Sequence, residues 1–309
     1  MIYEYAIDPT VILKWADNAR DYAEGIREYG LGTPRILSSF PKQKARKLRS
    51  SLLQLTPADE QSLHARRYVE LVNALTDVTV DRSLDSDIPR DWCDGVVSTI
   101  SKSPRFDLII TEEDERIPGS LRPSEVYSTD SPWNHPRQYS IERTWVDFSR
   151  VSLNFIRYAK GEIIIVDPYG WNERSLSVIQ YVVCELKNRR LSKEKIIFTV
   201  LYKQKYGKAN PSSNVVLKRI LSGIKDIPDS IEVHVKELDV GTDTDIFHNR
   251  YLLTSLGGMI LGAGVDLSED TNHTDDAILM DKDLYTRRWN QYVLDSKYLV
   301  VSSDSTVSK

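Results

Sequence analysis

Along the first hundred residues, apolar side chains return at helical spacing. Val11, Ile12, Trp15, Ala19 and Tyr22 form one such stripe, which predicts an amphipathic helix. Asp8-Pro9 precedes it, a capping side chain followed by proline at the first helical position. Gly30 and Gly32 break the pattern. Thr56-Pro57-Ala58-Asp59 reads as a second start, close to a capping box with Asp in place of Glu. Leu63, Tyr68, Leu71, Val72 and Leu75 carry that helix on, and a third is expected from Trp92 to about Ser101. Phe106-Asp107-Leu108-Ile109-Ile110-Thr111 is a short β-rich run and predicts a strand. Residues 112–140 hold Pro118, Pro123, Pro132 and Pro136 among polar residues, the pattern of a loop or linker. Trp133 and His135 within it give it the means to order over a site.

From residue 141 onward, helical and extended patterns alternate. Trp145 to Tyr158 has helical spacing, and Glu162 to Asp167 is a buried-type strand with four consecutive apolar residues. A helix over 173–189, a strand from Lys195 to Tyr202, a helix from Ser213 to about Lys225 and a strand from Ile231 to Leu238 follow. Residues 247–254, 257–263 and 277–280 predict further short strands, and Leu284 opens a closing helix. Strands alternating with helices imply an α/β layer fold with a mixed sheet flanked by helices. The expected division is a mainly helical domain over 1–104, a strand and proline-containing linker over 105–140, and the α/β domain over 141–309.

Composition narrows the function classes. Hydrophobic residues make up 40% and charged residues 28% of the 309 positions, a globular balance with enough apolar material for a core. The net charge of -4 excludes a chain that is basic throughout, so any contact with phosphates must come from a local cluster. The two cysteines, Cys93 and Cys184, lack C-x-x-C spacing, which argues against a disulfide framework or a zinc site. The amino terminus has no basic segment leading into an apolar run, so no secretory signal is read there. No apolar stretch approaches the roughly 20 residues that a membrane span needs. A cytoplasmic protein without a membrane partner is expected.

The chemistry concentrates at His248-Asn249-Arg250 and Gly262-Ala263-Gly264-Val265-Asp266. On a strand, residues two apart face the same side. An imidazole and a permanent cation pointing together suit a phosphate, with the cation on the phosphoryl oxygens and the histidine as nucleophile or acid–base. Small residues at 262–264 let backbone approach a ligand. A strand histidine satisfied by a neighbouring carboxylate is the plainer role for His248. Asp167 ends a buried strand, where α/β sites form; a helix cap before 173 or a turn with Pro168 is its structural alternative. His273 with Asp275 and Asp276 is a weaker cluster, and it reads better as a solvated turn than as a metal site. Lys42, Lys44, Arg46, Lys47 and Arg49 form a basic run that fits a solvated helix face, a nucleic-acid backbone contact or an anionic membrane surface.

The segment resembles the phospholipase D superfamily motif H-x-K-x4-D-x6-G-S-x-N. His248 falls on its nucleophilic histidine and Arg250 on its lysine. Ser255 falls on its aspartate, Gly262 on its glycine, Ala263 on its serine and Val265 on its asparagine. The resemblance implies a phospholipase-D-like fold over 141–309 and a metal-independent phosphodiesterase, foremost a nuclease, with no cofactor. His248, Arg250 and Ser255 would be its catalytic residues. Family enzymes use two motifs and this sequence has one, which implies a homodimer pairing two His248 residues. The chain is also similar to the phospholipase-D-like domain at the carboxy terminus of proteins with a microtubule-interacting-and-transport domain. Asp167-Pro168-Tyr169 and Gly264-Val265-Asp266 carry that likeness. It implies a non-catalytic module that binds headgroups, nucleic acid or a protein, with Asp167, Tyr169, Gly262, Gly264 and Asp266 as binding residues. The layout also resembles prokaryotic proteins associated with antiviral defence, which implies membership in a larger complex with a protein partner.

Overall fold

The computed structural model describes residues 1–82, 88–89, 91–100, 105–112, 115–189, 194–204, 210–239, 247, 249–262, 268, 273–294 and 298–306. The chain divides into two compact units, Ile2–Pro136 and Arg137–Lys309, with Met1 counted in the second. The strand near 108 and the proline-containing segment up to residue 136 thus belong to the first unit.

In the first unit the elements run β1 (Tyr3–Ile7), α1 (Pro9–Asp17), α2 (Ala19–Glu28), β2 (Arg35–Ser38), α3 (Ala45–Leu53), α4 (Leu63–Asp77), β3 (Thr79–Val80), α5 (Trp92–Thr99) and β4 (Leu108–Ile110). Helices supply most of the regular structure, but they surround a parallel sheet of order β3-β2-β1-β4. Alternate residues of the sheet feed two cores, as the strand period of two requires. Tyr5, Ile7, Leu37, Leu108 and Ile110 pack with residues of α1, α3 and α4. Ala6 and Ile109 pack on the other face with Phe40, Trp92 and Val96.

Two helix boundaries differ from the sequence reading. The stripe from Val11 to Tyr22 is interrupted because Asn18 is extended, and its Oδ1 accepts from Arg20 N and Asp21 N to start a new helix. Similarly, α4 starts at Leu63 under the Ser62 hydroxyl, which accepts from Ala65 N at 3.1 Å. The Thr56–Asp59 segment therefore lies before the helix, not at its cap. The segment expected as a linker is packed: Leu121, Val126 and Trp133 are buried in the first unit's core.

The second unit runs β5 (Gln138–Glu142), α6 (Trp145–Tyr158), β6 (Gly161–Val166), α7 (Glu173–Arg189), β7 (Ile196–Lys203), α8 (Ser213–Leu221), β8 (Ile231–Asp239), β9 (Arg250–Thr254), β10 (Gly257–Leu261), β11 (Thr274–Leu279), α9 (Lys282–Trp289) and β12 (Leu299–Ser305). Its sheet has the order β12-β8-β7-β6-β9-β10-β11-β5 among the described residues. β6, β7 and β8 are parallel, joined through α7 and α8, and their centres are buried. β9 joins β6 antiparallel, and β9, β10 and β11 form a meander that β5 completes. The architecture is the α/β class, a mixed sheet flanked by helices. β12 was not foreseen: α9 ends at Trp289, and the chain returns to pair antiparallel with β8. No described helix is long and apolar enough to cross a membrane.

Candidate functional site

The second sheet changes strand direction at β6, with β7 parallel on one side and β9 antiparallel on the other. In open α/β sheets, the crevice beyond the carboxyl ends of parallel strands at such a change of order is where ligands sit. The pairing Val166↔Tyr251 sets the residues after β6 beside the start of β9. The pairing Leu261↔Arg250 brings the end of β10 to the same edge. Asp167-Pro168-Tyr169, Arg250 and Gly262 are therefore neighbours there because of strand register.

Asp167 is 2% exposed, and its Oδ1 accepts from Tyr169 N at 2.8 Å. Gly170 N donates to Asp167 O at 3.0 Å, closing a tight turn around Pro168. The cap of α7 is a different residue: Asn172 Oδ1 accepts from Ser175 N at 2.8 Å. Of the two structural alternatives for Asp167, the geometry is that of the turn. The turn presents Tyr169, which is 49% exposed.

Arg250 Nη1 donates to Gly262 O at 2.9 Å, and its guanidinium carbon lies 5.9 Å from the centre of the Tyr169 ring. Its Nε is buried with no hydrogen-bond partner among the described residues. The guanidinium as a whole stays half-buried, and a planar permanent cation that solvent reaches is suited to an anion. Gly262 has a packing role: a Cβ there would meet Asp275 Oδ1 at 2.7 Å. The space that its missing side chain leaves is taken by that carboxylate.

Ser255 is not brought to this edge. It sits in the turn between β9 and β10, where its Oγ accepts from Lys160 N at 3.2 Å. Five residues of strand separate it from Arg250, on the order of 17 Å at the usual rise per residue. His248, Gly264 and Asp266 lie outside the described residues. Phe247, just before His248, is buried against Tyr292 and Tyr298, with ring centres 6.0 and 6.2 Å away. The short stretch holding His248 is thus bounded by a buried Phe247 and by strand residue Arg250.

His273 Nδ1 lies 2.7 Å from Ser268 Oγ, and Asp275 Oδ1 accepts from Asp276 N. No group of three or more His, Cys, Asp or Glu suited to a metal ion occurs among the described residues. The basic run belongs to the first unit: Lys42 is half-buried, while Lys44, Arg46 and Lys47 are exposed at and inside α3, which buries Leu48 and Leu52 beneath them. Exposure of these side chains fits a solvated face and a phosphate contact alike.

No protein-family model matches the chain, and no curated protein matches it. Solved structures do match. Phospholipase D family members are among them. Nuc from Salmonella typhimurium, described as a phospholipase D family member, is 11% identical with a TM-score of 0.29, over 54% of this chain and 99% of that one. Phosphatidylserine synthase of Haemophilus influenzae Rd KW20 is 16% identical with a TM-score of 0.32, over 52% of this chain and 37% of that one. TrmBL2, an archaeal chromatin protein described as showing a novel mode of DNA binding, is 14% identical with a TM-score of 0.30, over 58% and 59%. The chain thus spans less than two thirds of the length of these last two. At TM-scores of 0.29 to 0.32, these likenesses assign neither a family nor an activity to this chain.

The first unit also holds a polar cavity. It has a volume of about 630 Å³ and is lined by Arg20, Glu28, Arg35, Tyr127, Trp133 and His135 among others. Arg35 precedes the basic run in sequence but is not part of it. Its Nη1 donates to Glu28 Oε2 at 2.9 Å, and its guanidinium lies 4.1 Å from the Trp133 ring centre. Burial, helped by the charge of Arg35, lowers the His135 pKa to about 4. His135 Nε2 lies 2.7 Å from Tyr5 Oη, a hydrogen bond whose direction is set by the tautomer of the ring. The sequence signal for this cavity was Trp133 and His135, read above as giving the segment the means to order over a site.

Proposed function

We propose that residues 141–309 form a phospholipase-D-like unit that binds a phosphodiester of a nucleic acid at the Arg250 edge and cleaves it without a metal. The observation that carries this reading is the meeting of Arg250, whose guanidinium is half-buried, and the Asp167–Tyr169 turn where the sheet changes direction. The motif spacing adds His248 two residues before Arg250. In this reading His248 attacks phosphorus, a P–N bond forms as the P–O bond to the leaving oxygen breaks, and water then displaces the histidine. Arg250 holds the non-bridging oxygens. The leaving oxygen needs a proton donor, and His248 of a second copy of the chain would supply it, which makes the active form a homodimer.

A specific observation favours a second reading, a module that binds a phosphate-bearing partner without cleaving it. Ser255, aligned with the family's aspartate, carries no charge and stands at the opposite end of β9. The test is incubation of the purified full chain with labelled DNA and RNA in EDTA, beside His248→Ala. Cleavage that is lost in the variant supports the enzyme. Strand binding without cleavage in a dimeric wild type supports the module and sinks the enzyme. A place in prokaryotic antiviral defence belongs to the same proposal. Phage plating on cells carrying the wild type or His248→Ala would contradict it if neither changes the plaque count.

A further inference from the structure

A large aromatic ring half in water on a polar edge is an informative observation, because tyrosine usually buries most of its ring. Tyr169 is such a ring, at 49% exposure. Its backbone is held on both sides: Tyr169 N donates to Asp167 Oδ1 at 2.8 Å, and Asn172 N donates to Tyr169 O at 2.9 Å. Pro168 fixes the backbone before it. Gly170 lies so close beneath that a Cβ would sit 3.3 Å from both Asp167 O and Val200 Cγ1. The ring is thus displayed from a rigid turn, and little order remains to be imposed when something lands on it.

The second observation is what stands beside the ring. The Arg250 guanidinium lies 5.9 Å from its centre, at the outer limit of a cation–π contact, so it borders the ring and does not cap it. An aromatic platform next to a cation repeats the layout of a nucleotide, in which one sugar separates a flat base from a charged phosphate. Both faces of a base are free for such stacking only where the strand is unpaired. A duplex hides its bases, and a lipid headgroup has no flat ring to offer.

Building on the phosphodiester reading above, we infer that Tyr169 is a stacking platform for the base next to the phosphate held by Arg250, so that the site selects single-stranded nucleic acid. Tyr169 is then a specificity-determining residue, and it acts on the base and not on the phosphate.

The test measures affinity by fluorescence anisotropy. The full chain carries His248→Ala to prevent turnover. The probes are single-stranded, duplex and abasic strands of equal length, and vesicles containing phosphatidylserine. Tyr169→Ala is expected to weaken binding to the single strand about tenfold, equal to about 1.4 kcal/mol, and to leave the abasic strand unchanged. Tyr169→Phe keeps the ring and is expected to bind as the parent does. Arg250→Ala is expected to weaken every strand. An equal loss on base-bearing and abasic strands with Tyr169→Ala would overturn the inference, as would no loss on either. Binding to vesicles that depends on Tyr169 while strands are ignored would also overturn it. If Arg250→Ala matters and Tyr169→Ala does not, the stacking inference alone falls. If Arg250→Ala changes nothing, the phosphodiester reading falls and takes the stacking with it.

Discussion

Arg250 can serve a phosphate only through the part of its guanidinium that solvent reaches. One terminal nitrogen is committed to Gly262 O, while Nε is buried with no partner among the described residues. The spacing of His248 and Arg250 predicts a shared strand face, but β9 begins at Arg250 and His248 lies outside the described residues. The reason for Gly262 was not legible in the sequence, because the carboxylate that fills its place comes from Asp275, on the neighbouring strand. Buried charges elsewhere give a firmer prediction. Arg82 donates to Glu4 through Nε at 2.5 Å and Nη2 at 2.6 Å, with the two side chains 7% and 0% exposed. Arg82→Met removes both bonds from a carboxylate that water cannot reach. It is expected to cost about 3–5 kcal/mol, measured as a lower denaturant midpoint. A loss under about 1 kcal/mol would mean that the pair contributes as little as a surface pair does.

At the level of elements, the second unit's helices and central strands were readable because their burial follows one rule each. β6, β7 and α7 are continuous or periodic in apolar residues. The strands β1 and β2 were not readable, because Glu4 interrupts one apolar run and Arg35 opens the other, and their ion-pair partners Arg82 and Glu28 lie far away or across a turn. β12 escaped notice because it carries serines and an aspartate, LVVSSDS, along a sheet edge. The hairpin of β9 and β10 is the element that sets the candidate site. At its turn end a Cβ on Gly258 would meet Met280 Sδ at 2.7 Å, Leu253 Cδ2 at 2.8 Å and Tyr285 Cδ2 at 3.1 Å. Gly258→Ala is therefore expected to overpack that end and destabilise the chain by about 1–3 kcal/mol. A melting temperature equal to the wild type's would show that the three side chains move aside freely.

For the molecule as a whole, stability should depend on pH through His135 in the first unit. Burial, with Arg35 nearby, holds its pKa at about 4, against 6.5 for a free histidine. Between those values the unfolded chain binds the extra proton and the folded chain does not. This contribution is complete above about 6.5 and is lost as pH falls through about 4. His135→Gln is expected to flatten the rise of stability with pH in that window, measured by denaturant titration at its two ends. An unchanged slope would contradict the burial argument. The division into two compact units was only partly legible. A proline-containing segment looks like a linker in sequence, and only contacts made by Leu121, Val126 and Trp133 reveal it as packed.

The claim that most else rests on is that Arg250 faces a phosphate. The direct measurement is the affinity of the His248→Ala chain for a single-stranded oligonucleotide across a series of salt concentrations, with and without Arg250→Ala. The account expects the second change to weaken binding and to reduce the slope of log affinity against log salt by about 0.7, the release from one single-strand phosphate contact. The same affinity and the same slope in both proteins would contradict it.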